Sequence, residues 1–121
     1  MSKVKILSLR AHYRERDRRE AGLPFVGPAP DRNYPHYWRV PQCRTFPEAF
    51  DLGERYGAAL LQLFHDYPDH AGNGLLGRIV RDMDLLDFSL QRGLPLGVFH
   101  HLEVMMSAGQ QEQGAEAPPP A

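Results

Sequence analysis

A chain of 121 residues with 42% hydrophobic content and a formal net charge of -1 carries enough apolar side chains for one modest core and too few residues for two ordinary domains. No run of about 18 apolar residues occurs, which argues against a membrane-spanning helix, and the single cysteine, Cys43, has no partner for an internal disulfide. Charge is lopsided: ten Lys and Arg against four acids make residues 1–44 +6, and four Arg against eleven acids make residues 45–121 -7.

Two consequences of that polarity compete. Either the halves attract each other within one molecule, or the basic half meets an external anion such as nucleic acid while the acidic half engages a basic partner. The N-terminal apolar stretch is broken by Ser8 and Arg10 and lacks a small-residue cleavage pattern, which predicts a cytoplasmic protein. A lone cysteine agrees with a reducing compartment.

In chain order, Lys3–Leu9 reads as a short strand with Val4 and Ile6 on one face; a lead-in to a helix capped by Ser8 is the alternative. Arg10–Glu20 is almost wholly polar and is helical on propensity. It offers Arg10, Arg14 and Arg18 for phosphate contacts, with Glu15, Asp17 and Glu20 diluting the field. A solvated helix is the preferred reading of this segment.

Between Gly22 and Pro47, six prolines forbid a long regular element, while Phe25, Tyr34, Tyr37, Trp38 and Val40 provide apolar bulk. This is a packed loop. Tyr37–Val40 is expected to pair with Lys3–Leu9 as a two-stranded ribbon. Arg32, Tyr37, Trp38 and Arg39 suit stacking on a single strand of nucleic acid, or a lid closed over the helices, which is preferred for a domain this small.

Thr45 and Glu48 stand in capping-box spacing and Pro47 fits a first turn, so a helix is expected over Thr45–Tyr67. Phe46, Ala49, Phe50, Gly53, Gly57, Leu60, Leu61 and Phe64 form its apolar stripe. Gly53 and Gly57, each costing about 1 kcal/mol relative to Ala in a helix, imply close approach of another backbone, expected to be the next helix.

The run His65-Asp66-Tyr67-Pro68-Asp69-His70 follows. Imidazoles and carboxylates are good ligands for zinc, manganese or iron, and the His65-Asp66 pair in a helical protein resembles the metal-binding pair of the HD phosphohydrolases. The resemblance covers these two residues. It implies metal-dependent hydrolysis completed by an upstream histidine and a downstream aspartate, for which His36 and Asp82, Asp84 or Asp87 are available. The competing and preferred account is a helix end: His65 complements the dipole, Pro68 stops the helix, and Asp69–Gly74 turns.

A second helix is expected from Asn73, as its cap, to Arg92, burying Leu75, Leu76, Ile79, Val80, Met83, Leu86 and Leu90, with Gly93 as the left-handed residue closing it. A third runs from Pro95 to about Ser107. From Ala108 the composition predicts a disordered tail.

The fold expectation is mainly α with a minor α+β component: a three-helix core over residues 1–107, a basic N-terminal segment and a two-stranded ribbon, then a tail over 108–121. The leading functional expectation is a small non-catalytic accessory or regulatory protein, of the kind carried by bacterial mobile elements or phages. It would act by stoichiometric binding to a protein or nucleoprotein partner and need no cofactor. The alternatives are nucleic-acid binding through the basic segment and metal-dependent hydrolysis through His65, Asp66 and His70.

Overall fold

The structure, a computed structural model, describes the backbone of residues 3–116 and the side chains of residues 11–110. Four helices appear: α1 (Lys3–Ala21), α2 (Phe46–Asp66), α3 (Leu75–Asp82) and α4 (Gly93–Glu116), with short 3-10 turns at Pro68–His70 and Leu90–Arg92. Two compact units make up the chain. The first comprises Met1–Pro41 and Ala59–Asp84, the second Gln42–Ala58 and Leu85–Ala121.

In the first unit, Lys3–Leu9 is helical, not a strand. Extending an existing helix adds one hydrogen bond per residue with no new nucleus, which offsets the few tenths of a kcal/mol that Val4 and Ile6 cost. The extended loop segment pairs locally instead. Gly27 and His36 exchange backbone bonds of 3.0 and 2.8 Å, and Arg39 N–H donates to the Phe25 carbonyl at 2.8 Å. That isolated bridge replaces the expected ribbon, and the described residues contain no strand.

Leu23, Phe25, Tyr37, Leu60, Leu63, Leu75, Ile79 and Met83 are buried in this unit, so the proline-rich loop contributes to the core as a lid should. Trp38 is half-buried and its ring lies 5.7 Å from that of Phe25.

α3 is much shorter than the expected Asn73–Arg92 helix. Gly74, at φ 80°, rather than Asn73, stands at its N-cap, and Met83 turns extended. Downstream, side chains take over the backbone donors. Asp87 accepts the Ser89 N–H at 2.9 Å, and the Ser89 hydroxyl accepts the Gln91 N–H at 3.2 Å. Such bonds offer the chain an alternative to the helical ladder. Leu75, Ile79 and Met83 are buried, whereas Leu76, Val80, Leu86 and Leu90 of the expected stripe are exposed.

In the second unit α2 begins as expected. The Thr45 hydroxyl accepts the Glu48 N–H at 3.2 Å, while the Glu48 carboxylate takes the Arg44 N–H at 3.1 Å rather than that of Thr45. The backbone that approaches Gly53 and Gly57 belongs to α4, not to the helix after α2. A Cβ on Gly53 would lie 2.1 Å from the Leu94 carbonyl oxygen, and one on Gly97 2.2 Å from that of Phe50. Two glycine pairs, Gly53/Gly57 and Gly93/Gly97, thus let two helices pack backbone to backbone.

Gly93 is accordingly right-handed (φ -56°) and belongs to the start of α4, not to a helix C-cap. Gln91 straps the α2 entry: its side chain accepts the Cys43 N–H at 2.8 Å and donates to the Cys43 carbonyl at 2.7 Å. α4 continues through Ala108–Glu116, where a tail is expected from the sequence; the last five residues lie outside the described residues.

Candidate functional site

The densest polar constellation sits inside the first unit around Glu20, a residue whose sequence context, RRE, reads as surface charge. Glu20 closes the last turn of α1 and is 0% exposed. Its carboxylate takes the Tyr37 hydroxyl at 2.6 Å on Oε1, and His70 Nε2 at 2.8 Å and Arg78 Nη2 on Oε2. Four segments therefore meet at one anion: α1, the proline-rich loop, the Pro68–His70 turn and α3.

An ionised carboxylate only accepts, so His70 Nε2 carries the proton in this bond. His70 Nδ1 is buried without a partner. Burial pushes the Glu20 carboxyl up, and the bonds from Tyr37, His70 and Arg78 outweigh it, holding Glu20 below its usual range. Burial, followed by the Glu20 bond, pushes the Tyr37 phenol up to about 12.

A second anchor lies on α3. Asp82 takes Arg32 Nη2 at 2.5 Å, the Tyr37 N–H at 2.8 Å and Arg81 Nε at 3.1 Å. Against the cost of burial, these bonds hold its carboxyl well below the usual carboxylate range. Arg19 reaches Asp69 at 3.3 Å and lies 4.2 Å over the Tyr67 ring. Arg19–Asp69 and Arg32–Asp82 each join the basic N-terminal part of the sequence to the acidic remainder, so part of the charge polarity is consumed inside the fold.

The residues singled out from sequence fare unequally. Arg14 and Arg18 are exposed on α1, Arg18 pairing with Glu15 at 2.5 Å. The Arg10 side chain lies outside the described residues. Arg32 is tied to Asp82 and to the Pro35 carbonyl at 2.7 Å, and Tyr37 is 3% exposed, so neither presents a free face to a base. Arg39 is exposed and donates to the Pro28 carbonyl.

His65 and Asp66 are exposed at the end of α2, where Asp66 accepts from Gln62 at 2.8 Å. His70 is committed to Glu20. The metal site implied by the HD-type resemblance is not assembled: among the described residues no three His, Cys, Asp or Glu side chains form a group able to hold a metal ion. Cys43 is buried, and burial pushes its thiol up, away from the reactive thiolate.

Sequence reasoning missed Arg78 and the burial of Glu20, and named Asp82 only as a possible metal ligand. The available signal was a single acid at the apolar end of α1, next to Leu23 and Phe25, where a solvated charge is out of place. Fold and site together define a mainly helical protein held by buried ion pairs, with no helix among the described residues long and apolar enough to cross a membrane. Compared with protein-family models, curated proteins and solved structures, the chain matches none.

Proposed function

We propose that this chain is a non-catalytic accessory or regulatory protein that acts by stoichiometric binding to a protein partner. What carries the reading is the apolar surface of the second unit, where Leu85, Leu86 and Phe88 are 52%, 83% and 73% exposed within four residues. Large apolar side chains clustered at a surface are a mark of interaction sites. Arg92 lies 4.5 Å over the Phe88 ring, which holds that ring in a defined position. Support also comes from the first unit, where Glu20, His70, Arg78, Arg32 and Asp82 are spent on one another, as structural ion pairs are. A reducing cytoplasmic setting and an origin on a bacterial mobile element or phage belong to the same reading.

A nucleoprotein partner is a second reading, favoured by one observation. α1 is a continuous helix in which Arg10, Arg14 and Arg18 recur every fourth residue, with Arg14 and Arg18 exposed. Phosphate contacts of that kind weaken steeply with salt.

Affinity capture from a bacterial host, with and without nuclease, tests both. A nuclease-resistant partner retained by the native chain and by the Arg10, Arg14, Arg18 triple-Ala variant, but lost from a Leu86→Ser, Phe88→Ser variant, is the expected result. Capture that survives the apolar substitutions and is abolished by nuclease or by the triple-Ala change overturns the protein-partner reading in favour of nucleic acid.

A further inference from the structure

The first unit holds a cavity of about 250 Å³ lined by Arg16 and Asp17 of α1, Tyr34 and Tyr37 of the loop, and Arg78 and Arg81 of α3. Three guanidiniums on one small cavity wall, with one carboxylate among the lining residues, gather many N–H donors in one place. None of the three swings freely. Arg16 Nε and Nη2 bond Asp17 at 3.2 and 3.0 Å, and Arg81 Nε and Nη2 bond Asp82 at 3.1 and 3.2 Å. Arg78 is held by Glu20 and by the Asn73 carbonyl, at 2.7 Å from Nη1.

These bonds leave donors over. The Nη1 groups of Arg16 and Arg81 enter no hydrogen bond among the described residues. Each guanidinium carries five N–H donors in a rigid fork suited to phosphate oxygens. Tyr34, half-exposed, has Arg32 at 4.5 Å and Arg81 at 5.3 Å from its ring, which steadies the cavity rim. Counting the carboxylates that hold them, Arg16, Arg78 and Arg81 stand against Asp17, Glu20 and Asp82, so the wall offers unspent N–H donors in a balanced field rather than net charge.

We propose that this cavity is a binding site for a phosphate group carried by a small molecule. Its volume decides the ligand class. Pockets for drug-sized ligands run from about 300 to 1,000 Å³, so a cavity of about 250 Å³ takes a phosphomonoester with a short carbon skeleton rather than a whole nucleotide. Anchored guanidiniums lose little freedom on binding, and charge-assisted bonds are roughly twice as strong as neutral ones. The site is independent of the apolar surface of the second unit, and it would make an accessory protein responsive to a phosphorylated metabolite.

The test is calorimetric titration of the full chain at low ionic strength with inorganic phosphate and with glycerol 3-phosphate, alongside NMR of the arginine Nε–H signals. Saturable binding that shifts the Arg16 and Arg81 signals, falls at least about tenfold in Arg81→Ala and is unchanged in Arg14→Ala is the expected result. Arg81 is the variant of choice because its side chain is 46% exposed and Asp82 keeps Arg32 without it; a thermal melt checks that the variant folds. Arg16→Gln provides an independent variant if it does not. Absence of saturable binding, or equal losses in Arg14→Ala and Arg81→Ala, overturns the proposal. So does an oligonucleotide that shifts the same Arg16 and Arg81 signals and that glycerol 3-phosphate fails to displace, since the phosphate would then belong to a nucleic-acid backbone.

Discussion

The Tyr37 hydroxyl donates to the fully buried Glu20 carboxylate over 2.6 Å, joining the middle of a proline-rich loop to the last turn of the first helix. A carboxylate withdrawn from water is tolerable only when its lone pairs are filled, and Tyr37 fills them together with His70 and Arg78. The loop is thereby part of the core.

Removing that anion leaves the buried His70 and the part-buried Arg78 without their partner, and breaking a buried pair costs up to about 3–5 kcal/mol. Glu20→Ala is therefore expected to lower stability by about that much in urea unfolding. Glu20→Leu combined with Arg78→Met removes both charges and recovers a large part of the loss. Tyr37→Phe forfeits a bond to a charged acceptor, worth about 1.5–3 kcal/mol. Losses that simply add in the Glu20, Arg78 pair would show that the two residues do not interact.

Acid has a defined effect through the same groups. Glu20 and Asp82 both titrate below their ordinary values of 4.5 and 3.8 in the folded protein. The folded state thus binds fewer protons than the unfolded one, and the stability these groups add is complete above the ordinary values and lost as pH falls through the depressed ones. Urea midpoints measured on a descending pH series are expected to drop below about pH 4.5, and Glu20→Gln is expected to flatten the slope.

The alkaline limb has the same logic with the sign reversed. Tyr37 ionises at about 12 when folded, against an ordinary 10.0, so its contribution is whole below 10 and lost as pH rises through 12. Tyrosinate absorbance followed with circular dichroism is expected to show two late-titrating phenols, Tyr37 and Tyr56, which burial also pushes up, with the Tyr37 phase accompanying loss of structure. Tyr37→Phe deletes that phase.

Two glycines on helices are expected to respond oppositely to alanine. Gly53→Ala drives a methyl into the Leu94 carbonyl and is expected to cost about 3 kcal/mol, the upper end of the usual range for overpacking. Gly77 in α3 meets nothing within 4 Å, and its replacement by Ala is expected to stabilise by about 0.4–1 kcal/mol through the unfolded chain. Thermal melts of the two variants separate close helix contact from helix propensity.

Cys43 is buried, and its thiol is pushed up by burial and by Glu48. Alkylation of the native protein at neutral pH is expected to be slow and to become fast in denaturant. Gln91→Ala, which removes the strap across the Cys43 backbone, is expected to speed labelling by loosening the entry to α2.

Local rules made some of this legible in advance. The Thr45 cap, the burial of Ala49, Gly53, Gly57 and Leu60 on α2, and the close approach at Gly53 all depend on residues within one or two turns, and each is found where the spacing puts it. The role of His70 was not legible from the preferred helix-end reading or from the alternative metal grouping with His65 and Asp66, because its partner is a carboxylate fifty positions away, beyond any local pattern.

The amino-acid order by itself determined a helical chain with a capped, glycine-notched α2 and a loop too aromatic to remain in water. Tertiary structure decided the remainder. Lys3–Leu9 became helix as an extension of α1, while in its intended strand partner, Tyr37–Val40, the Arg39 N–H found the Phe25 carbonyl, and α3 stopped at Asp82, with Asp87 and Ser89 claiming backbone donors that follow. Glu20 turned inward because donors 17, 50 and 58 residues along the chain converge on it. Capping and periodicity act through neighbours in sequence, whereas the desolvation of a charge is settled by whatever the fold brings to meet it.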